Sequence, residues 1–85
     1  MAIVKFFANL RKVTGTKEVS ISGASVRGVV TELITRFPAL SENLLENGQI
    51  RQHVIITING HPTTDRDTSV AEKDEIAIFP PISGG

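Results

Sequence analysis

The stretch Glu75-Ile76-Ala77-Ile78-Phe79-Pro80-Pro81-Ile82-Ser83-Gly84-Gly85 decides how the rest of the chain is read. Its first five residues alternate. Ile76 and Ile78 fall on one side and Glu75, Ala77 and Phe79 on the other, the period-two pattern of a strand. Pro80 and Pro81 stop that strand, because proline has no amide hydrogen for a ladder and fixes φ near −65°. The residues from Pro80 to Gly85 reach roughly 20 Å when extended, at about 3.3 Å each. We therefore expect residues 1–79 to form one domain and residues 80–85 a flexible tail ending in two glycines. Neither Gly84 nor Gly85 has a side chain, so the tip fits a slot too narrow for a Cβ. The free carboxylate of Gly85 is then presented to another protein. A bare terminal Gly-Gly is also a common frayed end; strand, double proline and glycines coinciding in eleven residues favour the first reading.

Working outward, residues 2–8 read as a first strand, with Val4, Phe6 and Ala8 on one face and Ile3, Lys5 and Phe7 on the other. A lysine is rarely fully buried without a partner, so Lys5 marks its own face as the wetter one and leaves Phe7 there. Residues 9–15 read as a polar connection ending in a glycine turn. Residues 17–22 give a second strand, and the short link predicts an antiparallel hairpin. Ser25 is placed to cap a helix. Val26, Val29, Val30, Leu33, Ile34 and Phe37 then form one apolar stripe at helical spacing, and Pro38 ends it. Gly28 interrupts that helix, and close approach to a sheet would explain it. Residues 39–47 read as a short second helix with Gly48 in its C-terminal turn. Residues 54–58, nearly all apolar and β-branched, are expected to be central and buried on both faces. Asn59-Gly60 is a hairpin-turn signal, and Pro62 allows only a short or edge strand after it. Residues 64–74 read as a loop or helical turn. This order predicts an α+β fold, a mixed sheet with one amphipathic helix across one face.

Composition narrows the function. The chain has 85 residues, enough for one modest core. Nine basic and nine acidic residues cancel, so no strong field favours nucleic acid or an anionic membrane. No window approaches the ~20 apolar residues of a membrane span, and the start of the chain lacks a signal-peptide core. A cytoplasmic location is expected. There is no cysteine, which removes disulfides, thiolate metal sites and side-chain thioesters. Any sulfur the chain carried would have to be added at its terminus by a partner.

The motif Phe79-Pro80-Pro81-Ile82-Ser83-Gly84-Gly85 after Asp74-Glu75 and an apolar strand resembles the tail of the MoaD/ThiS family of ubiquitin-like sulfur carriers. Phe6-Phe7-Ala8-Asn9-Leu10-Arg11-Lys12-Val13-Thr14-Gly15 is similar to the N-terminal signature of the MoaD type, the small subunit of molybdopterin synthase, so the likeness covers both ends of the chain. It implies a β-grasp topology, with first and last strands adjacent and central. Phe7 and Phe79 would then form one aromatic patch at the root of the tail. Phe7, Arg11 and Phe79 match the family's contacts with the synthase large subunit, and Pro80, Pro81 and Ile82 belong to the tail that enters it.

The implied chemistry takes place at Gly84-Gly85 and uses no catalytic side chain, metal or bound cofactor of this chain. An adenylating partner similar to ubiquitin-activating enzymes would use ATP to activate Gly85. A persulfide sulfur donor would convert it to a thiocarboxylate, and the synthase large subunit would pass that sulfur to a pterin precursor in molybdenum cofactor biosynthesis. Three alternatives share some of these features: a sulfur carrier for thiamine or tRNA thiolation, a modifier joined through Gly85 to lysines by an isopeptide bond, and a β-grasp adaptor whose tail is irrelevant.

Other motifs carry little. His53 and His61 have no ligand at metal spacing. Asp65-Arg66-Asp67 lacks the glycine and closing glutamate of a calcium loop. Gly23 and Gly28 have phosphate-loop spacing, but Val29-Val30 stand where Lys-Ser/Thr is required. No histidine lies in the context of a hydrolytic triad.

Overall fold

The computed structural model describes residues 1–80. Five strands form one mixed sheet: β1 (Ala2–Phe6), β2 (Glu18–Ile21), β5 (Ile55–Ile58), β6 (His61–Thr63) and β7 (Glu75–Phe79). Their order is β2-β1-β7-β5-β6. β1 and β7 are parallel, with Val4 opposite Ile76 and Phe6 opposite Ile78, while the other pairs are antiparallel. First and last strands are therefore adjacent and central, which is the β-grasp arrangement. Helix α2 (Val26–Arg36) lies across one face and buries Val26, Val29, Val30 and Leu33 against Val4, Phe6, Ile21, Ile56, Ile76 and Ile78. Phe37, at the end of that stripe, meets the Phe6 ring edge-on at 6.0 Å.

Local chemistry sets the ends of α2. Ser25 is extended, and its Oγ accepts the Gly28 N–H at 3.1 Å. The first helical amides, Val26 and Arg27, donate to the carbonyls of Thr68 and Arg66. The loop before β7 thus supplies partners for donors that no helix satisfies internally. Val70 enters the core from the same loop. No described helix is long and apolar enough to cross a membrane.

Several expectations are corrected. The first strand stops at Phe6, since Ala8 is left-handed (φ 56) and exposed. The expected polar connection is a helical turn, α1 (Leu10–Thr14), that plugs the core with Leu10 and ends at Gly15, φ 74. The second helix, α3 (Leu40–Leu44), is shorter than expected. After it, β3 (Leu45–Glu46) and β4 (Gln49–Ile50) form a small hairpin. Gly48 belongs to that hairpin's turn: Asn47 and Gly48 have φ 55 and 79, the two positive angles of a type I′ turn. Asn59 and Gly60 (φ 51 and 86) repeat it between β5 and β6, as expected.

Two further corrections concern packing. β5 is not buried on both faces: Ile56 is covered by the core, but Ile55 is 52% exposed because no described element covers the outer side of the sheet there. Nor does Gly28 sit against the sheet. A Cβ there would make only ordinary contact with Ser25 Oγ at 3.4 Å, whereas one at Gly23 would fall 2.8 Å from Val29 Cγ2 and 2.9 Å from its backbone nitrogen. The tight approach is at Gly23.

Candidate docking face at the end of the last described strand

Strand register fixes which side chains share the uncovered face. Directly paired residues point the same way, so Lys5 pairs with Ala77, Thr57 with Ala77, Ile55 with Phe79, and Thr57 with Pro62. Phe7, one residue past β1, continues the Ile3 and Lys5 side and meets Phe79. Their rings stack with centroids 4.5 Å apart and planes 18° from parallel. Each ring is half-buried. The aromatic patch is thus less open than two isolated outward-facing phenylalanines would be, since much of its cover is the other ring.

Arg11 completes the cluster through the turn after β1. The left-handed Ala8 reverses the chain and Leu10 drops into the core, so Arg11 is carried back across Phe7. Its Nε donates to the Phe6 carbonyl at 2.9 Å, and its guanidinium carbon stands 5.5 Å from the Phe7 ring centre. Such a cation–π contact contributes about 0.5–1 kcal/mol at an exposed site. The three residues the family resemblance singled out, Phe7, Arg11 and Phe79, are therefore brought into one cluster. Lys5 Nζ pairs with Glu75 Oε1 at 3.1 Å on the same face. Pro80 is half-buried directly after β7. Pro81, Ile82, Gly84 and Gly85 lie outside the described residues, as does most of the expected tail at 80–85.

Two features, one on this face and one at the start of β7, were not anticipated. Ile55 is the larger, extending the apolar surface from Phe79 onto β5. The second is a polar clasp that fixes where β7 starts. Asn59 donates from Nδ2 to Asp74 Oδ1 at 3.0 Å and accepts the Glu75 N–H on its own Oδ1 at 2.9 Å, while Asp74 Oδ2 accepts the Ala71 N–H at 2.7 Å. The Ala71 amide, and then the Asn59 amide, hold the Asp74 carboxyl below its usual range. Elsewhere Asp67 raises the Arg27 pKa through a 3.0 Å bond. Burial, with Arg27 nearby, lowers that of Arg66.

Among the described residues the face presents no cysteine and no nucleophile–base pair. Comparison with known proteins gives this a context. Residues 4–85 match the model of the ThiS family. The chain is 36% identical to a molybdopterin synthase sulfur carrier subunit of Arabidopsis thaliana over 85 residues, covering 96% of this chain and 80% of the relative. It is 31% identical to small archaeal modifier protein 3 of Haloferax volcanii, covering 96% of both. The solution structure of small archaeal modifier protein 1 from Methanosarcina acetivorans superposes with a TM-score of 0.90 at 36% identity, covering 99% of this chain and 95% of that one. A β-grasp fold, an aromatic face beside the last strand and a match running to Gly85 belong together: the chain is a member of the ThiS family of ubiquitin-like sulfur carriers and modifiers.

Proposed function

We propose that the chain is a non-catalytic sulfur carrier of the MoaD type, the small subunit of a molybdopterin synthase, working in the cytoplasm. A carboxylate is a poor electrophile at neutral pH and needs a better leaving group. In this reading a carboxylate oxygen of Gly85 attacks the α-phosphorus of ATP held by an adenylating partner, and pyrophosphate leaves. A persulfide sulfur on a donor protein then attacks the acyl carbon and displaces AMP. Thiol reduction of the resulting acyl disulfide leaves a thiocarboxylate. The glycine leaves the attacked carbonyl unhindered, so partner amides can surround the developing oxyanion. The tail would next enter the synthase large subunit and donate the sulfur.

The observation that carries this reading is the Phe7–Phe79–Arg11 cluster on the last residue of β7, directly before Pro80. A partner seated there has the tail at hand. Intact mass of the protein purified from its own host tests it. The expected species has one oxygen replaced by sulfur at the terminus, and deletion of Gly85 should abolish it. A second reading draws on the 31% identity to an archaeal modifier protein. If Gly85 is instead recovered in isopeptide linkage to lysines, with no thiocarboxylate under sulfur-replete growth, the modifier role replaces the carrier role.

A further inference from the structure

Beside the aromatic cluster, an open groove of about 710 Å³ runs from the outer face around the ends of β5 and β6. Its walls are apolar at Ile55 and Pro62 and polar at Gln52, His53, Thr64 and Arg66, and none of the described residues lining it carries a carboxylate. It joins the docking face directly, because Ile55 is the register partner of Phe79.

Arg66 gives the groove its sign. Its Nη2 donates to the carbonyls of Arg51 and Val54 at 3.1 and 3.2 Å, which anchors the guanidinium. Its Nη1 is buried and has no hydrogen-bond partner among the described residues. The ion pairs among those residues involve the amino terminus, Lys5, Arg27 and Arg51, and none reaches Arg66. A guanidinium remains charged at any ordinary pH. That nitrogen is enclosed, but the half-buried guanidinium as a whole lines the groove, and a cation on a wall whose described residues carry no anion is electrostatically incomplete. The remaining groove wall, an exposed isoleucine and a proline, suits an aliphatic group.

We infer that this groove is a second part of the docking face, and that it receives an aliphatic side chain beside an aspartate or glutamate of the adenylating partner. The inference rests on the carrier reading, since it takes the outer face as the surface that partner uses. Charge complementarity selects the acidic chemistry, because the cluster is flanked by Arg11 on one side and Arg66 on the other. A partner presenting lysine or arginine here would meet like charge on both flanks.

Substituting Arg66 would also break its two backbone bonds, so the test uses Thr64, an exposed groove residue with no hydrogen bond across the groove. ATP–pyrophosphate exchange by the adenylating enzyme from the same genome is measured against carrier concentration for the full chain, Thr64→Glu, Thr64→Lys and Phe79→Asp. Thr64→Glu should raise the KM for the carrier about threefold to fivefold and leave kcat unchanged, as expected for a rim charge pair. Thr64→Lys should lower it, and added salt should shrink both differences. Equal KM values for the two Thr64 variants, with Phe79→Asp impaired, would overturn the groove and spare the docking face. Absence of exchange with the unaltered chain would overturn the carrier reading and the groove with it.

Discussion

Phe7 and Phe79 stack at 4.5 Å although 72 positions separate them in the chain (79 − 7), because the central strands β1 and β7 run parallel in a register that brings their C-terminal ends side by side. The contact ties the start of the chain to the residue before Pro80. Aromatic stacking of this kind contributes about 0.5–1.5 kcal/mol beyond area burial. The pair therefore helps hold the end of β7 while leaving part of each ring accessible.

Phe7→Asp and Phe79→Asp should fold, each melting lower by about 4–8 °C per kcal/mol of lost stacking. Each ring is already half-buried, so a complex can gain about half of the ~1.5–3 kcal/mol of full burial, and loss of one ring should weaken partner binding roughly threefold to tenfold. Val4→Asp and Ile78→Asp place a charge under α2 among fully buried residues and should unfold the domain. Thermal melts and titration calorimetry across the four variants check this. An unfolded Phe7→Asp beside a folded Val4→Asp would reverse the strand faces and remove the docking surface.

Ile55 and Ile56 make a sharper contrast, being neighbours on opposite sides of one strand. Ile55→Asp loses strand propensity and part of its cross-strand packing on Phe79, so it should cost about 1 kcal/mol while leaving the domain folded, and should weaken docking. Ile56→Asp should unfold the chain. Circular dichroism of the two variants decides it, and equal unfolding would mean that the outer side of β5 is covered.

Much of this was legible before the structure. Alternation in β1 and β7, with Lys5 as the marker of the wet side, places Phe7 and Phe79 correctly. The stripe from Val26 to Phe37 places the helix. The omissions have physical causes. A continuous apolar run such as residues 54–58 looks the same whether one face or two are covered, so Ile55 was hidden. α1 spans five residues, too few to show a helical period, and its buried Leu10 is the sole sign of it. Glycine suits a helix C-terminus and a type I′ turn equally, which misassigned Gly48. Arg66 carries no signal in a polar loop until the backbone carbonyls of residues 51 and 54 are brought to it.

The two glycines around the start of α2 should respond to alanine with opposite signs. At Gly23 the new methyl would meet Val29 Cγ2 at 2.8 Å and the Val29 nitrogen at 2.9 Å. Backbone cannot yield as a side-chain end does, so Gly23→Ala should cost about 1–3 kcal/mol, as overpacking does. At Gly28 the nearest atom is Ser25 Oγ at 3.4 Å. Gly28→Ala should therefore stabilise the helix by up to ~1 kcal/mol. Urea midpoints of the two variants measure both effects, and a destabilised Gly28→Ala would mean the capping bond at Ser25 cannot tolerate the methyl.

The clasp at Asp74 gives the fold a defined acid response. Its carboxylate accepts from the Ala71 and Asn59 amides, which lowers its pKa in the folded chain. A depressed folded pKa means that the contribution is fully present above the unfolded value, near 3.9, and is lost as pH falls through the folded value. Asp74→Asn keeps the shape but puts a donor where one of the two bonds needs an acceptor. The variant should melt below the parent at neutral pH, and the gap should narrow as pH is taken from about 5 to below 3. Melting temperatures of both proteins across that range measure it. A gap that stayed constant would show that the ionised carboxylate is not what holds Asn59 and the start of β7 together.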